Sequence, residues 1–180
     1  MDALPTEDIT VELVLKETGI TRGSLYHFFD DFSELLEEAF LKRFAAHVEV
    51  SAAAIRSIVE DAQDQEDFLT RLEAITKVTQ ERGREPLRFE RARILAKAER
   101  NDRFRASLGS VQQELTDALT ECFALAQERG FLNRDFQPRT GAVFIQAYTL
   151  GKIVDDVTTT HMDEDDWNSL ITLISRRALA

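Results

Sequence analysis

Seven glycines and three prolines in 180 residues leave this chain too few breakers to punctuate a sandwich or barrel of many short strands. That shortage constrains the fold more than any single motif and predicts an all-α protein of long, uninterrupted helices. Hydrophobic residues make up 43% of the chain and charged residues 31%, enough apolar surface for a sizeable core. The charge is one-sided, with 22 Lys+Arg against 33 Asp+Glu and a formal net of −11. Cys122 is the single cysteine, so no intramolecular disulfide is possible. The chain does not open on a basic stretch followed by an apolar one, and no apolar run approaches the roughly 20 residues that cross a bilayer. The expected setting is reducing and cytoplasmic.

Helical periodicity starts with Val11, Val14 and Leu15 and stops at Gly19. A second short helix opens at once, with Thr21 as its N-cap. Leu25, Phe28 and Phe29 share one face by i, i+3, i+4 spacing, which leaves Gly23, Tyr26 and His27 outward. Asp31 with Glu34 three positions on then caps a longer helix carrying Leu35, Leu36, Ala39, Phe40 and Phe44. From about residue 48 further helices are expected, with breaks near 61–65, 83–86, 101–102 and 130–138. The one from about 104 to 129 is predicted to be the longest. A mostly apolar helix from about 138 to 158 carries Ala147 and Gly151 four apart, a spacing that predicts close approach of another helix. The last helix opens on Asp163–Asp166 and closes on Arg176-Arg177, matching the helix macrodipole.

Two short helices joined by a tight glycine turn, the second presenting Thr, Arg, Ser, Tyr and His, have the layout of a helix-turn-helix. The string Thr10-Val11, Lys16-Glu17-Thr18-Gly19-Ile20-Thr21-Arg22-Gly23-Ser24-Leu25-Tyr26-His27-Phe28-Phe29, then Leu35-Leu36, resembles the DNA-binding segment of the TetR family of bacterial transcriptional regulators. The family's pattern is a Thr opening the second helix, an Ala/Thr-Gly-Val/Ile turn, a recognition helix ending in Tyr-x-x-Phe, and a Leu-Leu pair opening the fourth. Ala126-Gln127-Glu128-Arg129-Gly130-Phe131-Leu132, through Asp135, Pro138 and Gly151, resembles the family's later run. The resemblance implies that Met1–Leu4 form just the last turn of an opening helix that is otherwise missing or truncated. It also implies a helix-turn-helix DNA-binding domain over 1–47 and a ligand-binding and dimerisation domain over 48–180.

On that resemblance Thr10 and Tyr26 donate to phosphates, with His27 as a further contact. Thr21, Arg22, Gly23 and Ser24 face base edges; Arg22 suits a bidentate pair to guanine, and Gly23 permits close backbone approach. Phe32 stands where the family usually has a Lys, removing a phosphate contact. Residues 1–50 hold four Lys+Arg against eleven Asp+Glu, a net of −7, so little affinity is expected from counterion release.

The resemblance further implies a homodimer through the last two helices, placing two recognition helices roughly 34 Å apart. Its expected interface is Phe144, Ala147, Tyr148, Gly151, Val154, Trp167, Leu170, Ile171 and Ile174. A small-molecule pocket is expected among Phe68, Leu72, Ile75, Phe89, Phe104, Leu108, Gln112, Phe123, Phe144, Gln146 and Tyr148, each of which also fits plain core. Arg88, Arg91 and Arg93, on one helix, read as a solvated face. Cys122, amid Leu119, Phe123 and Leu125, reads as a buried structural thiol.

The three histidines are scattered, no metal-ligand spacing occurs and no glycine-rich phosphate loop appears, so neither an enzyme nor a cofactor or metal site is expected. The reading is a TetR-like regulator, a repressor that binds a palindromic operator as a homodimer and is released by a small-molecule effector. The alternative is a helical ligand-binding or protein-interaction dimer of the same fold that no longer binds DNA.

Overall fold

The computed structural model describes residues 9–178; Met1–Leu4 lie outside them. Among the described residues the chain is helical without strands: α1 (Val11–Thr18), α2 (Arg22–Phe28), α3 (Phe32–Glu60), α4 (Gln65–Gln80), a 3₁₀ turn (Arg82–Arg84), α5 (Glu85–Ala98), α6 (Asp102–Glu128), α7 (Pro138–Gly151), α8 (Ile153–Asp156) and α9 (Glu164–Ala178). None of these helices is long and apolar enough to cross a membrane. Two compact units are present, Met1–Arg43 and Phe44–Ala180. Their boundary lies inside α3. Helix α3 runs unbroken through a stretch that contains neither Gly nor Pro and, at 29 residues, exceeds the 27 of α6, the helix expected to be the longest.

In the first unit the side-chain caps are those its Thr and Asp residues favour. Thr10 Oγ1 accepts from Leu13 N (3.2 Å) and Thr21 Oγ1 from Ser24 N (3.1 Å). Gly19 ends α1 at φ 71°, a left-handed position that costs a glycine nothing. At the start of α3, Asp31 Oδ1 accepts from Glu34 N (2.9 Å), and Glu34 Oε2 accepts from Asp30 N (2.6 Å). Val14 and Leu25 are the buried residues of α1 and α2. The inward face expected for α2 is narrower than its spacing implied: Phe28 is 74% exposed. Phe28 sits about 60° round the helix from Leu25. Phe29 has already left the helix for extended backbone, so two turns provide one fully inward position.

The second unit is built on a core running from Val48, Ile55, Ile58 and Val59 of α3 through Phe68, Leu69 and Leu72 of α4. It continues to Leu115, Leu119, Cys122 and Phe123 of α6, with Phe131, Leu132 and Ala142. Phe68 packs on Phe131 with ring centroids 5.7 Å apart, and Phe123 meets Phe136 edge-on at 6.1 Å. Arg129 ties the end of α6 to α3, donating to the carbonyls of Val59 and Ala62, with its guanidinium 4.5 Å from the Phe131 ring centre. Gly130, at φ 74°, ends α6 as its sequence position predicts.

The helix expected over 138–158 is two pieces, α7 and α8, divided at Lys152. The buried Lys152 ammonium donates to Gln80 O at the end of α4 and lies 3.4 Å from Glu164, a docking that residue spacing does not announce. Gly151 lies at this break, exposed, and a Cβ there meets nothing within 4 Å, so among the described residues no other helix packs on it. The close-approach glycine is Gly141, where a Cβ falls 2.7 Å from two ring carbons of Phe123 and 2.8 Å from one of Phe136. Gly141→Ala is therefore expected to cost about 1–3 kcal/mol by overpacking, read as a lower urea midpoint. An unchanged midpoint means the two rings move aside freely.

Candidate functional site

Two places in the chain concentrate chemistry, one in each unit. In the first, Thr21, Arg22, Gly23, Ser24, Tyr26 and His27 are all exposed on α2 and its cap. Tyr26 is 42% exposed, more than its neighbouring Leu25 at 1% allows for a core aromatic. The caps at Thr10 and Thr21 use oxygen lone pairs only, so both hydroxyl protons stay free to be donated. Arg22 does not hang free: its Nη2 donates to Glu12 Oε1 of α1 at 2.7 Å. The Glu12 carboxyl is held below the usual carboxylate range, first by a backbone hydrogen bond and then by Arg22. The His27 ring stands edge-on to Phe28, centroids 5.1 Å apart.

In the second unit a cavity of about 140 Å³ opens between α3, α4, α5, α6 and α7. Ile55, Ile58, Leu72, Ile75, Leu115, Leu119, Phe123 and Ile145 give it apolar walls, and Ser51, Thr76, Thr79, Arg91, Cys122, Gln146, Tyr148 and Thr149 complete them. Most of the polar wall is already committed. Thr76 donates to Leu72 O (2.8 Å), Thr79 to Thr76 O (2.9 Å) and Thr149 to Ile145 O (2.8 Å), each within its own helix. With the Thr76 proton spent, the Tyr148 hydroxyl is the donor in their 3.4 Å contact. Burial raises the Tyr148 phenol, against the hydrogen bond to Thr76, and pushes the Cys122 thiol up to about 12, which makes it a poor nucleophile.

Arg91 is the cation of this wall. Its Nη2 donates to Gln112 Oε1 (3.1 Å) and Gln146 Oε1 (3.3 Å), and Gln112 Nε2 donates to the same Gln146 oxygen. Gln146 passes the chain on to Thr116 Oγ1 and Ala142 O, both at 3.2 Å. The Arg91 guanidinium lies 5.8 Å from the centre of the Phe44 ring, and its buried Nε has no acceptor. Desolvation lowers its pKa, which remains that of a permanent cation.

Of the residues proposed from sequence for a pocket, Leu72, Ile75, Phe123, Gln146 and Tyr148 line this cavity, and Gln112 stands directly behind its wall on Arg91. Phe68, Phe104 and Leu108 are buried elsewhere, Phe89 is half-buried away from it, and Phe144 is 42% exposed. The solvated face expected for Arg88, Arg91 and Arg93 holds for Arg93 alone. Arg88 is buried against Asp156 and Arg91 faces the cavity, because partners on α6, α7 and α8 turn these side chains inward. Sequence reasoning missed the α3 wall; the Ile55 and Ile58 spacing gave a signal for it. The threonines gave none.

On the last helices Phe144, Ala147, Gly151, Val154 and Leu170 are exposed, as are Val143 and Leu173. Trp167 and Ile174 are half-buried, and Trp167 donates to Gln80 Oε1 at 3.0 Å. Two residues assigned to that stripe turn away from it: Ile171 is buried within the chain, and Tyr148 faces the cavity.

No family model matches the chain, and no curated protein matches it. Among solved structures the chain is similar to the ketosteroid transcriptional regulator KstR2 of Mycobacterium tuberculosis, with 16% identity over 97% of this chain and 86% of that one and a TM-score of 0.57. An identity this low carries the architecture and no residue role. The chain has the all-α fold of that regulator.

Proposed function

We propose that the chain is a transcriptional repressor that binds a palindromic operator as a homodimer and releases it when a small molecule fills the cavity. The observation that carries the DNA-binding reading is α2, a short capped helix offering Thr21, Arg22, Ser24 and Tyr26 outward beside a left-handed glycine turn. Arg22 reads a guanine, Tyr26 and Thr10 donate to phosphates, and Gly23 admits the backbone close to the bases. Dimerisation uses the exposed stripe of Phe144, Ala147, Gly151, Val154 and Leu170, and the open space over Gly151 suits a partner helix. Helix α3 supplies the coupling. It begins in the DNA-binding unit and gives Ile55 and Ile58 to the cavity wall, so a guest that shifts it changes the setting of the recognition helix.

The name of KstR2 ties that protein to ketosteroids, but the effector class does not transfer. A cavity of about 140 Å³ has room for a single ring, not a four-ring nucleus. A second reading, a dimer of this fold that has lost DNA binding, is favoured by the net −7 of residues 1–50.

Selection of bound sites from a random double-stranded DNA library, with the natural chain at physiological salt, decides between the two. The expected result is a palindrome with half-sites about one duplex turn apart. A folded, dimeric protein that enriches nothing establishes the second reading.

A further inference from the structure

We propose that the cavity takes a small monocarboxylic acid, one ring or a short branched chain in size, with its apolar body on Ile55, Leu72, Leu119 and Phe123 and its carboxylate on Arg91. This rests on the reading of the cavity as an effector site and names the effector's chemistry.

Size comes first. A cavity of about 150 Å³ lined by aliphatic and aromatic side chains accommodates benzene, so about 140 Å³ suits a guest body of about six carbons.

Charge comes second. This chain carries eleven more acids than bases, and its buried cations have acids: Arg88 holds Asp156 and Lys152 lies on Glu164. Arg91 has none. Its guanidinium faces the Phe44 ring and two amide oxygens that occupy Nη2 alone, and no carboxylate among the described residues lies within ion-pair distance. Its Nε–H is a buried donor without an acceptor, a costly arrangement that a carboxylate on the guanidinium relieves.

The remaining wall narrows the class further. Thr76, Thr79 and Thr149 have spent their protons on their own helices and Tyr148 gives its own to Thr76, so a guest's acceptor finds little besides Arg91 and the Ser51 hydroxyl. A cationic guest meets Arg91 as a like charge, and a neutral guest leaves its charge uncompensated.

The test uses the full folded chain and three ligands of one shape: benzoate, benzyl alcohol and toluene, with binding measured by calorimetry and thermal midpoint. Benzoate is expected to bind at least about tenfold more tightly than benzyl alcohol, as a charge-assisted bond requires. In Arg91→Met that preference falls to about one while toluene binding persists. Benzyl alcohol binding as tightly as benzoate, an absence of benzoate binding, or a preference retained in Arg91→Met overturns the proposal. The wild-type comparison decides on its own if the variant does not fold. Benzoate binding by a chain that selects no operator removes the DNA-binding reading and leaves this one standing; an operator selected by a chain that ignores benzoate does the reverse.

Discussion

Arg88→Met is expected to destabilise the chain by about 3–5 kcal/mol, a large part of the 5–15 kcal/mol that holds a typical domain folded. Arg88 and Asp156 form a bidentate pair, Nε to Oδ2 at 2.5 Å and Nη2 to Oδ1 at 2.7 Å, with side chains only 5% and 3% exposed. Arg88 Nη1 also donates to Glu81 O at 3.2 Å, so one guanidinium joins the end of α4, the start of α5 and α8. Removing the cation leaves Asp156 buried and unpaired, which is where the loss arises; the pair itself, set against its desolvation, contributes far less. The double variant Arg88→Met with Asp156→Leu therefore recovers most of the loss. Urea unfolding of the two single variants and the double completes the cycle. Loss under 1 kcal/mol in Arg88→Met means that the pair is solvated and that this corner of the fold opens readily.

The same pair marks where the sequence stopped being informative. Periodicity and caps located most helices because both are local: Thr21 announces α2, Asp31 with Glu34 announces α3, and Pro138 announces α7. Arg88 and Asp156 are 68 positions apart, Lys152 and Gln80 are 72 apart, and no spacing rule links either pair. Three arginines on one helix of an acidic chain had ordinary partners on every side, so a solvated face was the simplest expectation. The structure instead buries one as an ion pair and turns another to a cavity. Glycine was ambiguous for a related reason: Gly151 and Gly141 look alike in sequence, yet one lies at a helix break and the other under two phenyl rings. Helix α2 was the most legible element, because its cap, its glycine turn and its exposed polar residues follow one another along the chain.

That legibility makes Arg22 the sharpest test of the DNA-binding reading. Against the selected operator, Arg22→Ala is expected to weaken binding about 5- to 150-fold and to relax discrimination at one base pair of each half-site. The fold should be indifferent, since Arg22 and Glu12 form an exposed pair with side chains 57% and 74% accessible. The pairing of Arg22 with Glu12 adds a second, opposite expectation. In the free protein the Arg22 fork is engaged at 2.7 Å by a carboxylate that stays ionised at neutral pH. DNA binding must exchange that acceptor for a base edge and bring the negative charge of Glu12 towards the phosphates. Glu12→Gln should therefore tighten operator binding, most at low salt, and steepen the loss of affinity as salt rises. The gain should shrink when Arg22 is already alanine, because the acceptor exchange has then disappeared and only the charge remains. Affinities of the wild type, both single variants and the double variant, each at two salt concentrations, separate these terms. Unchanged affinity in Arg22→Ala takes base reading away from α2. Weaker binding in Glu12→Gln assigns Glu12 a supporting role, holding the Arg22 fork in the orientation that meets the groove.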